Sequence, residues 1–155
     1  MNMARIKYSY KPDDETKVAK AMGYEMPISF KHAVEICRFI RGKKVVEAKK
    51  ILQDVIDLKK PIPFKRYKKK VAHKSLDGWY AGRFPQKACR FILDVLKNLE
   101  ANAEYKGLDT EKLVIVHAQA KMGRKIRKYV PRAFGRATPW FQQLTTVEFV
   151  AEEVE

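Results

Sequence analysis

Residues Leu113–Val150 read LVIVHAQAKMGRKIRKYVPRAFGRATPWFQQLTTVEFV. Both ends are strand-like, Leu113-Val114-Ile115-Val116 at the start and Leu144-Thr145-Thr146-Val147-Glu148-Phe149-Val150 at the finish, and are rich in β-branched residues. Between Lys112 and Glu148 there is no carboxylate, while seven basic residues occur: Lys121, Arg124, Lys125, Arg127, Lys128, Arg132 and Arg136. Two apolar strand seeds around a cationic middle predict one long antiparallel hairpin, rooted in a globular body and projecting from it. An extended arm of about 15 residues spans roughly 50 Å at about 3.3 Å per residue. Its like charges repel in water, so it requires an anionic surface to lie against.

A plain solvated loop is the competing reading, but unstructured loops beyond about 12–15 residues are uncommon in compact domains. Composition also opposes disorder. Ile126, Tyr129, Val130, Phe134, Trp140 and Phe141 are interleaved with the charges, whereas disordered tails are poor in such residues. Gly123, Pro131, Gly135 and Pro139 supply bends along the arm.

Working outward, residues 1–19 read as an irregular basic arm, and a short strand is expected over about Ala21–Ile28. Ser29 suits a helix N-cap, Ala33, Ile36, Cys37 and Ile40 follow at helical spacing, and Gly42 suits the C-terminal cap. A second helix carries Ala48, Ile51, Leu52 and Val55 on one face, and Pro61 lies beyond its end. Lys59–Lys74 (KKPIPFKRYKKKVAHK) holds eight Lys and Arg and no carboxylate, and Gly78, Gly82 and Pro85 act as breakers after it. Residues 60–84 therefore read as a basic loop insertion without a core of its own, with Phe64 and Tyr67 either stacking on bases or pinning the loop to the body. A third helix follows Pro85, with Ala88, Ile92, Val95, Leu96, Leu99 and Ala103 as its stripe and Gly107 at its close. The expected fold class is α+β: three helices packed on a small antiparallel sheet with a long protruding β-hairpin over 113–150, its tip near 128–136.

The 155 residues suit a single domain, and 33 Lys and Arg against 18 Asp and Glu give a formal net charge of +15. That excess destabilises the compact state by self-repulsion and points to an acidic partner. No run approaches the 18 or so apolar residues of a membrane helix, and MNMARIKYSYKP contains no apolar core for a signal peptide. Nucleic acid is thus preferred over membrane, in a cytoplasmic setting. Cys37 and Cys89 fit buried reduced thiols. His32, His73 and His117 fall in separate segments without metal-ligand spacing, and Gly78 and Gly82 match no nucleotide-binding pattern. Helix carboxylates such as Glu47, Asp54 and Asp94 read as solvent-face partners of lysines. Neither enzyme activity nor a cofactor or metal is expected.

Several motifs sharpen this reading. Ile28-Ser29-Phe30-Lys31-His32-Ala33, Ile40-Arg41-Gly42-Lys43 and Ala48 with Ile51-Leu52 come first, and Asn98, Ala101-Asn102-Ala103-Glu104 and Gly107-Leu108-Asp109 follow. Gly123, Arg127-Lys128-Tyr129 and Pro131-Arg132-Ala133-Phe134-Gly135-Arg136-Ala137 then complete the order. The chain resembles, over about residues 20–152, the universal large-subunit ribosomal protein twenty-two family. The segment at 60–84 places the resemblance in the archaeal and eukaryotic-type branch. One departure is Trp140-Phe141-Gln142-Gln143, less basic than the return strand of bacterial relatives.

The resemblance implies a structural constituent of the large ribosomal subunit that binds and braces rRNA, its hairpin lining the polypeptide exit tunnel. Implied partners are large-subunit rRNA, neighbouring ribosomal proteins and the nascent polypeptide, with no homo-oligomer. The residues assigned to rRNA contact are Lys31, Lys65, Arg66, Lys68, Lys69, Lys70, Arg83, Lys121, Arg124, Lys125, Arg127, Lys128, Tyr129, Arg132, Arg136 and Trp140. The tunnel-lining tip would be Pro131, Arg132, Ala133, Phe134 and Gly135. Tyr129, Phe134 and Trp140 either stack on bases or pack on the hairpin face. A free-standing nucleic-acid-binding regulator is the alternative, although such proteins commonly carry a groove-reading helix, whereas here the cations lie on arms.

Overall fold

The computed structural model describes residues 7–154. In chain order the elements are β1 (Val18–Met26), α1 (Phe30–Ile40), α2 (Val45–Ile56), β2 (Ile62–Pro63), β3 (His73–Leu76), β4 (Trp79–Arg83), α3 (Gln86–Tyr105), β5 (Leu113–Ile126), β6 (Tyr129–Arg132), β7 (Arg136–Pro139) and β8 (Gln142–Glu153). The fold is α+β as expected, three helices on a small antiparallel sheet of order β1-β8-β5 from which the hairpin continues.

Strand β8 is central, and its residues Leu144–Ala151 are all buried. The pleat divides them between two faces. Val147, Phe149 and Ala151 join the core with residues of all three helices. On the opposite face Glu148 receives the backbone amide of Ser9. Helix α3 packs on β1 and α2, while α1 packs on β5. Its stripe of Ala88, Ile92, Val95, Leu96, Leu99 and Ala103 is buried as read, joined by Cys89. A left-handed Gly107 (φ 76°) ends α3, with the Leu108 amide donating to Ala103 O at 3.0 Å and the Gly107 amide to Glu104 O at 2.9 Å. That pair of bonds satisfies the last helical carbonyls.

Local details depart from the sequence reading. Ser29 occupies the N-cap position of α1, but its hydroxyl makes no capping bond. In α2, Ile51 is only half-buried and Val45 completes the buried face. The first strand starts at Val18 rather than Ala21 and ends at Met26, because Val18 and Ala19 pair with Glu152 and Ala151. The basic arm assigned to 1–19 is shortened accordingly. Its residues 1–6 lie outside the described chain, and residues 7–17 are irregular. Cys37 and Cys89 are buried free thiols, both pushed up to about 12 by burial, which leaves them as inert thiols at neutral pH.

The larger correction concerns residues 60–84. They form a three-stranded sheet of order β2-β4-β3, and Ile62, Phe64 and Ala81 are buried. The physical reason is a carboxylate that helical periodicity does not mark. Glu35 on α1 is 1% exposed. Its Oε1 accepts from the amides of Arg66 (2.7 Å) and Tyr67 (2.8 Å), and its Oε2 accepts from that of Lys65 (3.1 Å). Three consecutive backbone N–H groups thus form a nest around one anion. The Trp79 indole closes the far side by donating to Phe64 O at 3.0 Å.

Glu35→Gln replaces an acceptor-only group with one that presents donors to donors. A buried amide left without a partner costs about 1–3 kcal/mol. The variant should exchange the amide hydrogens of Lys65, Arg66 and Tyr67 faster while those in the middle of α3 stay protected. Unchanged exchange at these three amides would show that Glu35 does not order the segment.

Candidate nucleic-acid interface

Strands β5 and β8 pair from Leu113↔Glu153 to Ile126↔Gln142, and β6 and β7 carry the ribbon on from Tyr129↔Pro139 to Arg132↔Arg136. Register shifts lie between Ile115 and His117, which face Ala151 and Val150, and between Met122 and Lys125, which face Thr145 and Gln143. Each leaves one more residue on β5 than on β8, the signature of a bulge that bends and twists the strand. At the second, a Cβ on Gly123 would stand 3.1 Å from Leu144 O and 3.3 Å from Glu25 Cγ. Glycine lets the two chains close there.

The root cations are engaged inside the protein. Lys121 Nζ lies 2.6 Å from Glu148 Oε2, and His117 Nε2 lies 2.9 Å from Glu148 Oε1. The Ser9 amide adds bonds of 3.2 Å to each oxygen, and Tyr10 stacks on His117 with centroids 5.3 Å apart. Burial opposes ionisation of Glu148, but Lys121, His117 and Ser9 together hold its carboxyl below the ordinary range. Arg124 forks onto Glu25, with Nε 2.9 Å from Oε1 and Nη2 2.7 Å from Oε2. Hydrogen bonding to Arg124 lowers the Glu25 carboxyl likewise. Glu25 reaches it from an irregularity in β1 where its own φ is 46°.

Beyond the root the picture changes. Lys125, Arg127, Lys128, Arg132 and Arg136 are exposed, and among the described residues none of them forms an ion pair. Arg132 stands directly across from Arg136, a like-charge pairing that destabilises a ribbon in isolation. Phe134 at the turn is 94% exposed with φ 59°, followed by Gly135 at φ 64°. A bulky residue in that region is strained. Tyr129 meets Phe141 edge-on at 6.2 Å, whereas Phe134 and Trp140 face no other ring among the described residues.

A second cationic centre lies on the body. The first turn of α1 presents Lys31 and His32, the turn clamped by Glu35 presents Arg66 and Tyr67, and the end of β4 presents Arg83. With Lys69 they line a cleft of about 480 Å³. Lys31 Nζ and the Arg66 guanidinium stand 5.6 and 5.4 Å from the Tyr67 ring centroid. Burial first, and then the Arg83 charge, push His32 below its ordinary value, so its imidazole is neutral at neutral pH. Lys65 and Lys68 lie over the Trp79 ring at 5.8 and 5.4 Å. Lys70 is exposed at φ 56°.

Of the residues assigned from sequence, Lys31, Arg66, Lys69 and Arg83 are therefore brought together. Lys121 and Arg124 are committed to carboxylates, and the remaining hairpin cations stand along the arm. Sequence reading missed Trp79, which sits among breakers, and the three organising carboxylates Glu25, Glu35 and Glu148. No signal in the α1 periodicity marked Glu35, because at helical spacing it lies on the face opposite Ala33, Ile36, Cys37 and Ile40.

The sequence model of the family described as Ribosomal protein L22p/L17e matches residues 21–152. The chain belongs to this family. The match takes in α1, α2, the β2–β4 insertion, α3 and the whole hairpin. A relative from Archaeoglobus fulgidus, large ribosomal subunit protein uL22, is 74% identical over 98% of this chain and 99% of its own length. Proteins of the same description from Methanothrix thermoacetophila and Staphylothermus marinus are 55% and 51% identical, covering 98% and 96% of this chain and 99% and 97% of their own. Full-length family relatives of archaeal origin thus agree with the branch indicated by the insertion. Among the described residues no helix is long and apolar enough to cross a membrane, and no group of three or more His, Cys, Asp or Glu is placed to hold a metal ion.

Proposed function

We propose that the chain is a structural, non-enzymatic constituent of the large ribosomal subunit, ribosome-bound in the cytoplasm, that binds and braces large-subunit rRNA. The carrying observation is a hairpin whose exposed outer cations, Lys125, Arg127, Lys128, Arg132 and Arg136, have no carboxylate partner among the described residues, in a member of a ribosomal protein family. Each such cation neutralises a phosphate and releases condensed counterions, which favours binding in a salt-dependent way. Exposed Tyr129, Phe134 and Trp140 offer rings on which splayed bases stack. Neighbouring ribosomal proteins complete the surroundings, and the monomer suffices.

In this reading the hairpin lines the polypeptide exit tunnel, with Pro131, Arg132, Ala133, Phe134 and Gly135 facing the nascent polypeptide. The turn contributes few phosphate contacts, because Arg132 is its sole cation. Deleting Arg132–Gly135 should therefore leave incorporation into large subunits near the normal level while changing stalling at arrest peptides. Sedimentation of the tagged chain in moderate salt and a stalling assay on the purified particles measure both. A chain that does not sediment with the large subunit would overturn the ribosomal reading. Loss of incorporation with normal stalling in the surviving particles would make the tip an RNA anchor instead of a tunnel element.

A further inference from the structure

We propose that the cleft between α1 and the clamped turn is a preformed seat for one unstacked nucleotide of RNA, separate from the hairpin. This rests on the RNA-binding reading and deepens it. It is lined by the cations Lys31, Arg66, Lys69 and Arg83, which form its charged side, together with the rings of His32, Phe64 and Tyr67. Among the described residues no carboxylate lines it. At about 480 Å³ it falls within the range of small-molecule sites, about 300–1,000 Å³.

The division of chemistry matches a nucleotide. A phosphate needs convergent positive charge, which these four cations supply from three separate parts of the chain. A base needs a dry, flat surface and a few polar atoms. The half-buried His32 ring supplies one, held neutral beside Arg83 and set edge-on to Phe64 at 5.5 Å. A neutral imidazole keeps one nitrogen as acceptor and one as donor, whereas an imidazolium would serve only as another cation.

Preorganisation comes from Glu35. Its three amide bonds fix the turn that carries Arg66 and Tyr67 before any ligand arrives. They also place a negative charge behind the turn, buried where it opposes the crowding of four cations and out of the cleft lining. An ordered turn loses less conformational freedom on binding, so more of the contact energy remains as affinity. The hairpin cations have no such backing. They stand on an open ribbon and suit an extended phosphate surface, while the cleft suits a single residue pulled out of its stack.

The test uses the full chain and three probes: adenosine monophosphate, ribose 5-phosphate and inorganic phosphate. Amide spectra should show adenosine monophosphate shifting His32, Tyr67 and Val71 as well as the charged side. Ribose 5-phosphate and phosphate should reach only the charged side and bind about tenfold more weakly, since they lack the stacking contribution of a base. Lys31→Ala with Arg83→Ala should abolish binding of all three, and Glu35→Gln should weaken it with the four cations intact. Equal affinity for adenosine monophosphate and ribose 5-phosphate would overturn the nucleotide seat in favour of a phosphate-only site. Absence of any shift in the cleft would overturn the site altogether. The ribosomal reading fails separately, if the unmodified chain does not sediment with the large subunit in moderate salt, so the two failures are distinguishable.

Discussion

Lys121→Ala should lower the melting temperature by about 6–12 °C, although the residue sits on a hairpin rich in other cations. Glu148 lies in the central strand and is fully buried, and Lys121 Nζ is its nearest cation at 2.6 Å. Removing one member of a buried pair leaves an uncompensated charge, which costs about 3–5 kcal/mol. His117 and the Ser9 amide remain on the carboxylate, so the lower end, about 3 kcal/mol, is expected. For a chain of this size each kcal/mol moves the melting temperature by about 2–4 °C. Arg132→Ala, on the exposed tip, is the control and should shift it by less than about 2 °C. Equal melting of the two variants would mean that the Glu148 cluster contributes nothing to stability.

The same cluster sets a pH dependence. The folded Glu148 carboxyl titrates below its ordinary value of 4.5, so the folded state binds its proton less readily than the unfolded chain does. Its stabilising contribution is complete above about pH 4.5 and is lost as pH falls through the lower folded value. Acid titration of the Lys121→Ala variant should show a smaller loss over that window than the unmodified protein. Because Ser9 and Tyr10 meet this cluster, acid should also release the N-terminal segment from the hairpin root.

Replacing Lys65, Arg66, Lys68, Lys69 and Lys70 together by alanine should weaken rRNA binding by about three powers of ten in 0.1 M salt. Each phosphate contact contributes about 0.7–0.9 to the slope of log affinity against log salt. Five contacts therefore correspond to a slope of about 3.5–4.5, and to a loss of that many powers of ten at 0.1 M relative to 1 M. The lower figure allows for contacts shared among neighbours. All five side chains are exposed, and the amides of the turn remain on Glu35, so the fold survives the change. Filter binding across a salt series measures the slope directly. An unchanged slope would remove this segment from the RNA interface.

Much of the architecture was legible before any coordinates. The helices followed from apolar stripes at a spacing of three and four, because burial of one face dominates helix placement. The α3 stripe was complete, and the hairpin followed from two strand seeds with a cationic middle that no apolar core accommodates. Charge also pointed to an acidic partner and located the two cationic regions. These properties are local or summed along the chain, so they depend little on what any residue meets in space.

Other features depended on contacts distant in sequence. Residues 60–84 read as a loop because Lys and Arg dominate them, yet three amides there find a carboxylate on α1, about 30 positions earlier. Lys121 and Arg124 read as RNA contacts like their neighbours, and their pairing with Glu148 and Glu25 was not legible in the sequence. Ser29 had the sequence of a helix cap, but its hydroxyl makes no capping bond. The sequence by itself determined the three helices, the strands at the hairpin root and the cationic regions, since periodicity and charge are carried by the residues themselves. Only the tertiary structure decided which cations are neutralised and which stay free, because an ion pair depends on distance in space, and the fold brings Glu25, Glu35 and Glu148 to partners that sequence separates.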